Sequence, residues 1–172
     1  VRDEYDSETN TGYYLDFYEE DTNVLKYTLD LSEFYDPRFI TNNHPGLSMG
    51  WYAEYRYAYV ENNIAYISMY HMTYADTMPF HAYIIAVDLN TGALLWRSLP
   101  LICNSDNFVV LDDVIISGYG FTAEPDYIYQ IDKSFGTVLN QTPVKSQADY
   151  LIMKDGKLYV RTYNTDYVFE VK

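Results

Sequence analysis

One stretch of this chain is written twice. Tyr83-Ile-Ile-Ala-Val-Asp88-Leu-Asn-Thr-Gly92-Ala-Leu-Leu-Trp96 and Tyr127-Ile-Tyr-Gln-Ile-Asp132-Lys-Ser-Phe-Gly136-Thr-Val-Leu-Asn140 share one frame at an offset of 44 residues. The frame is Tyr-Ile, an aliphatic residue, Asp, three residues, Gly and an aliphatic pair. A third copy opens at Tyr167-Val-Phe-Glu-Val171. A weaker fourth, Tyr14-Leu-Asp-Phe-Tyr18-Glu-Glu-Asp-Thr-Asn23-Val-Leu-Lys-Tyr27, has Asn in the place of Gly. A repeat of this length constrains the fold before any single residue is considered.

Each copy reads as strand, tight turn, strand. Gly92 and Gly136 stand where a turn needs positive φ, and Asn23 is the commonest substitute there. Ahead of each lies a second hairpin, with apolar residues alternating on both sides of a two-residue polar turn: Asn62-Asn63, Asp112-Asp113 and Asp155-Gly156. Asp-Gly is among the strongest short hairpin signals, and the other two pairs suit the same turn less well. Period-two alternation is plain in Ile64, Tyr66, Ser68 and in Leu158, Val160, Thr162. No stretch carries a capped helical period.

Four antiparallel strands recurring about every 43 residues is the period of a β-propeller blade. The expected fold class is therefore all-β: a β-propeller-like stack of four-stranded antiparallel blades, about 3 to 4 of them, forming an incomplete ring. The expected single domain, 1–172, divides into a partial blade (13–31), two blades (51–98 and 101–142) and a second partial blade (148–172). Pro100 and Pro143 are expected just past the fourth strands of their copies, where a chain that cannot donate another ladder bond must leave the sheet. The aromatic load of 21 Tyr, 8 Phe and 2 Trp suits strands.

The segment Asp88-Leu-Asn-Thr-Gly92-Ala-Leu-Leu-Trp96 resembles the repeat of quinoprotein-type (PQQ-like) β-propellers, in which an Asp-x-x-Thr-Gly turn is followed by an aliphatic pair and a Trp. Only this copy has the whole pattern. Asn140 and Tyr27 replace the Trp elsewhere, and Lys133-Ser-Phe replaces Leu-Asn-Thr in the second copy. The resemblance implies blades, and places the chain with a non-enzymatic branch or a fragment of such a protein.

Charge narrows the partners. The chain has 25 acidic and 11 basic residues, a formal net charge of -14. Eleven carboxylates but only Arg2 and Lys26 as cations lie between Val1 and Asp36. Nucleic acid is excluded as a partner, because phosphate neutralisation needs a basic stripe; a solvated acidic surface is the expectation for this segment. No apolar run approaches the length of a membrane span. The single Cys103, flanked by Leu101 and Ile102, reads as a buried small residue. The sequence opens at Val1 without a Met or a leader, which reads as a processed or trimmed piece of a longer protein.

In a four-stranded blade, the turns joining strands one to two and three to four share one face; the remaining connections share the other. The first face has only tight turns. The second carries the excursions Ser32 to Met49, His71 to Ala82 and Tyr119 to Asp126. Long loops on a rigid scaffold are where binding is placed, so the candidate binding residues are Phe34, Tyr35, His71, Tyr74, Asp76, Phe80, His81, Phe121 and Glu124. Aromatic anchors suit protein contacts, and aromatics beside carboxylates suit sugars. The competing expectation is that these side chains pack on one another to hold the loops down.

His71, Asp76 and His81, with Met69, Met72 and Met78, match no metal-ligand spacing, and Asp88-x-Asn90-x-Gly92 lacks the later ligands of a calcium loop. Neither metal nor cofactor is expected. No Gly-x-Ser-x-Gly, His-Glu-x-x-His or phosphate-cradling loop is present. The leading expectation is a non-catalytic binding or scaffolding module, extracytoplasmic, recognising a protein partner with the long-loop face. A fragment of a quinone-dependent dehydrogenase-type propeller and a carbohydrate-binding module are the alternatives. Open blade edges are expected to meet further blades of a parent chain or other copies of this one.

Overall fold

Tyr83-Ile-Ile-Ala-Val87 is an unbroken apolar run because both faces of its strand are buried, and that is the key to the architecture. In the computed structural model, which describes residues 14–36, 38, 54–70 and 74–171, the strands are β1 (Tyr14–Tyr18), β2 (Leu25–Asp30), β3 (Glu54–Glu61), β4 (Ile64–Tyr70), β5 (Tyr83–Asp88), β6 (Leu94–Arg97), β7 (Val109–Val110), β8 (Val114–Tyr119), β9 (Tyr127–Asp132), β10 (Val138–Pro143), β11 (Ala148–Lys154), β12 (Lys157–Thr162) and β13 (Asp166–Glu170). They form a hairpin β1-β2, four-stranded sheets β3-β4-β5-β6 and β7-β8-β9-β10, and a three-stranded sheet β11-β12-β13. Every pairing is antiparallel. The fold is all-β and propeller-like, a stack of blades with no sheet closed on itself.

Alternation along the strands sends the two faces of each sheet into different cores. Ala65, Ile67, Met69, Ile85 and Val87 pack with Leu15, Leu29 and Leu31 of the N-terminal segment. Tyr66, Ile84 and Ala86, on the other face, pack with Phe108, Ile115 and Ile131 of the next sheet. Ile116 and Ile128 then meet Leu151, Leu158 and Val160 of the third. Full burial of one such side chain is worth about 1.5–3 kcal/mol, so three stacked cores hold four sheets without a helix layer.

The repeated turns have a common mechanism. In the first full blade, Gly92 N–H donates to Asp88 C=O (2.7 Å), Asp88 N–H donates to Ala93 C=O (2.9 Å), and the Asp88 carboxylate accepts from Asn90 N–H (2.7 Å). In the second, Gly136 N–H donates to Asp132 C=O (2.8 Å), Asp132 N–H donates to Thr137 C=O (2.8 Å), and the Asp132 carboxylate accepts from Ser134 and Phe135 N–H (2.8 and 2.9 Å). The N-terminal hairpin builds the same turn with other residues. Asn23 N–H donates to Glu19 C=O and Glu19 N–H to Val24 C=O (both 2.9 Å). Gly92, Gly136 and Asn23 all have positive φ, 73°, 69° and 53°. The repeated Asp is therefore a turn former.

Two of the three dipeptide turns follow the expected geometry. Asn62 and Asn63 have φ of 51° and 60°, Asp155 and Gly156 of 51° and 71°, the paired left-handed residues of a type I′ turn. Asp112-Asp113 does not; neither residue has positive φ. The carbonyl of Leu111 instead accepts from the Lys133 ammonium (3.0 Å), which also holds Glu61 of the preceding sheet (2.9 Å). Pro143 is not past the fourth strand but is its last residue, opposite Tyr127, tolerated because β10 is an edge.

Among the described carboxylates of the N-terminal segment, Glu19, Glu20, Asp21 and Glu33 are exposed, and two are buried. Asp16 is buried and accepts from Thr28 Oγ1 (2.6 Å). Asp36 is buried beside the Arg38 guanidinium (2.7 Å). Burial works against the Asp36 charge, but the Arg38 side chain and its backbone N–H more than offset this and hold the carboxyl below its ordinary value. Cys103 is buried as expected, and burial pushes its thiol up to about 12.

Candidate binding cleft on the long-loop face

The loop after β8 is fixed from below. A side chain on Gly120 would run into the Asp126 carboxylate, so only glycine lets the loop turn so closely over its own end. Buried Asn104 then clamps that glycine, donating from Nδ2 to Gly120 C=O (2.6 Å) and accepting its N–H at Oδ1 (3.2 Å). Ala123 takes a left-handed conformation at φ 65°, and Glu124 N–H closes the turn on Phe121 C=O (2.9 Å).

The same loop is tied to its neighbour in the preceding blade. The Glu124 carboxylate accepts from Ala75 N–H (2.6 Å) and from the Tyr119 hydroxyl. The rings of Tyr74 and Phe121 meet edge to face at 4.9 Å. Burial, then the hydrogen bond to Glu124 and its charge, raise the Tyr119 phenol well above its ordinary value.

Beyond this loop a cleft of about 490 Å³ opens between the second and third sheets, lined by Phe121, Glu124 and Asp126 on one side, Ser146 and Gln147 of the connecting segment with Asp149 at the start of β11, and Tyr163 on the other. Its geometry is set by backbone bonds: Val144 N–H to Asp126 C=O (3.0 Å), Asp106 N–H to Asp149 C=O (2.9 Å) and Tyr163 N–H to Gln147 C=O (3.2 Å). Tyr163 is 85% exposed at the tip of a turn closed by Thr162 Oγ1, which donates to Thr165 C=O (2.8 Å). Burial, with the neighbouring Glu124 charge, raises the Asp126 carboxyl. The result is a preformed groove with three carboxylates, amide and hydroxyl groups, and an aromatic ring at its lip. It can receive donor groups, cationic or hydroxylic, with an apolar body against Tyr163.

The expected binding residues divide into groups. Tyr74, Phe121 and Glu124 are brought together, and much of what they do is hold loop to loop; Phe121 and Glu124 also face the cleft. Phe34 and Tyr35 are buried in the first core, which corrects their expected place on the presented surface. Their carbonyls accept from Arg97 Nη2 (2.9 and 3.1 Å), and the Tyr83 hydroxyl donates to Phe34 C=O (3.3 Å). His81 is also buried, with the rings of Tyr70 and Tyr119 at 6.4 and 6.2 Å. Phe80 is half-buried under the Arg38 guanidinium, 4.4 Å from its ring centre. Asp76 is exposed on its loop. His71 lies outside the described residues.

Tyr163, Gln147 and Asp149 were not singled out from the sequence. Tyr163 had a signal: an aromatic residue in a polar turn, Thr162-Tyr-Asn-Thr165, where neither strand alternation nor turn chemistry requires one. Asp149 had none, because its place depends on how two sheets pack.

No protein-family model matches the chain, and no curated protein matches it. Among solved structures, the computationally designed Ika4 protein is 15% identical, with a TM-score of 0.56 over 94% of this chain and 81% of that one. BamB from Moraxella catarrhalis is 12% identical, with a TM-score of 0.41 over 92% of this chain and 52% of BamB. The computationally designed Ika8 protein is 11% identical, with a TM-score of 0.32 over 94% of this chain and 66% of Ika8. The likeness to Ika4 spans most of both chains and concerns the fold.

Proposed function

We propose that this chain is a non-catalytic recognition module built from quinoprotein-type propeller repeats, and that it binds a protein partner in an extracytoplasmic setting through its long-loop face. The observation that carries this reading is the cleft closed by Phe121, Glu124 and Asp126 on one side and Tyr163 on the other. Its walls are held by backbone bonds and its exposed ring costs little ordering entropy on binding, the properties of a preorganised recognition site. The three carboxylates favour a segment that presents Lys or Arg beside an apolar side chain.

The repeat motif also raises a quinone-dependent enzyme. The described residues do not fit that cofactor: the sheets form an open stack, and the cleft is a groove between two of them. A carbohydrate ligand is the second reading, favoured by the Tyr163 ring beside Gln147 and Asp149.

An array of short synthetic peptides, half of them rich in Lys, Arg and aromatic residues, tests the proposal alongside a glycan array. Peptide binding that prefers the basic set and falls at least tenfold in Tyr163→Ala and Asp149→Asn supports it. Tyr163 is exposed at the lip and Asp149 sits at the irregular start of β11, so an unchanged circular dichroism spectrum of each variant is the control for an intact fold. Binding to glycans alone, or peptide binding indifferent to both substitutions, overturns it.

A further inference from the structure

We infer that the chain has a second ligand site, on its tight-turn face between the two four-stranded sheets, and that this site takes a single neutral pyranose ring. A cavity of about 340 Å³ opens there, lined by Glu61, Ile64 and Tyr66 of the β3-β4 hairpin, Leu95 and Trp96 of β6, and Lys133 in the turn after β9. Ligand pockets run from about 300 to 1,000 Å³, so this one suits one ring and not an extended chain. It shares no residue with the cleft of Phe121 and Tyr163 and does not rest on the function proposed for that cleft.

The walls are fixed before anything enters. Lys133 N–H donates to Asp113 C=O (3.0 Å), which holds the turn of the second sheet, and Leu89 N–H donates to Asn63 C=O (2.8 Å), which holds that of the first. The Trp96 indole N–H reaches across to Lys133 C=O (3.1 Å) and ties the two sheets together. A ligand entering such a site has little protein to order.

One polar group inside is left over. Tyr66 is 4% exposed, with its ring in the core between the two sheets, yet its hydroxyl makes no hydrogen bond among the described residues. Burial raises this phenol, with the Lys133 charge opposing the rise and the Glu61 charge adding to it. The hydroxyl therefore stays protonated beside those two groups, able both to donate and to accept. A buried hydroxyl without a partner is costly, and a bond from a ligand recovers that cost.

The charges at the site select the ligand. Lys133 Nζ donates to Glu61 Oε2 (2.9 Å) and to Leu111 C=O (3.0 Å), which leaves one of its three N–H donors and the second Glu61 oxygen for a guest. Because the pair is neutral as a unit, a carboxylate gains from Lys133 what it loses to Glu61, and an ammonium does the reverse. Neither recovers its own desolvation. A wholly apolar guest would leave the Tyr66 hydroxyl and the ion pair without solvent or partner. Hydroxyl groups around a ring meet all three needs: an acceptor for Lys133, a donor for Glu61, and either for Tyr66. The indole N–H is already engaged, so Trp96 offers its ring, 6.0 Å from that of Tyr66, and with Ile64 it faces the C–H surface of the sugar.

Saturation-transfer NMR and calorimetry on the 172-residue chain test the inference, with the methyl pyranosides of glucose, galactose, mannose and N-acetylglucosamine as probes. At least one should bind saturably, in the millimolar range or tighter. The uronate and the amino-sugar counterparts of that glycoside should each bind about fivefold more weakly or worse. Tyr66→Phe, which removes one hydroxyl and keeps the ring, should weaken binding about fivefold or more, while Tyr163→Ala in the other cleft leaves it unchanged. No saturable binding by any of the four, equal binding of the charged counterparts, or full binding by Tyr66→Phe overturns the inference. Loss of binding in Tyr163→Ala would place the sugar in the long-loop cleft and overturns it too. Should Tyr66→Phe disturb the fold, the charged counterparts and Tyr163→Ala decide.

Discussion

The six-membered ring of Trp96 covers the α-carbon of Gly136, one blade further along the chain. A methyl group at Gly136 would fall 2.8 Å from Trp96 Cδ2 and closer still to Cε3, while the indole N–H donates to Lys133 C=O (3.1 Å). The last residue of the repeat motif in one blade is thus seated on the turn of the next, and Lys133-Ser-Phe, which departs from the motif, is the turn it sits on.

This pairing separates two glycines that look alike. Gly92 and Gly136 have nearly the same φ, but a methyl group on Gly92 meets nothing within 4 Å. Gly92→Ala should therefore cost only the backbone term, about 1–2 kcal/mol. Gly136→Ala adds overpacking against the indole, about 1–3 kcal/mol more. Urea denaturation of both variants checks this; equal losses would show that Trp96 yields without strain.

The sequence showed the repeat because its turns need rare backbone conformations. Left-handed φ at Asn23, Gly92, Gly136 and Gly156 leaves few residue choices, so the positions recur at a readable spacing. The Asp112-Asp113 turn was misread because it uses none of that chemistry and relies on Lys133, twenty residues away. The site was only half legible for a similar reason. Phe121 and Glu124 stood out by type and loop length, but their ties to Tyr74 and Ala75 cross between blades. Asp149 enters the cleft only through the packing of two sheets, which local pattern does not encode.

Glu124 should matter more to loop order than to overall stability. Glu124→Gln keeps one oxygen for Ala75 N–H or the Tyr119 hydroxyl and turns an amide donor toward the other. Loss of the charged acceptor should cost about 1–3 kcal/mol, concentrated in the two loops. Limited proteolysis should then cut within 74–82 and 120–126 well before the sheets open. Cleavage at the wild-type rate would mean that Glu124 does not restrain these loops.

Asp36 supplies a pH dependence of defined sign. Its carboxyl is held below the ordinary value of 3.8, so the folded state binds that proton less readily than the unfolded chain. The stabilisation is complete well above pH 3.8 and is lost as the pH falls through the folded value. Thermal melts of the wild type and Asp36→Asn should differ most near neutral pH and converge in acid below that value. A gap that stays constant down to the acid limit would assign the ion pair with Arg38 no role in stability.

The three cores each join only blades that are neighbours in sequence: the N-terminal hairpin with the first sheet, the first with the second, the second with the third. Nothing described ties the first to the last. Such an array has no ring to break, and its resistance to unfolding is a sum of local interfaces rather than one global threshold. Pulled at its two ends, it should yield in steps of about one sheet, the terminal units first. Amide exchange should grade in the same way, slowest at Ile85 and Ile115 in the middle of the stack and fastest toward β1 and β13.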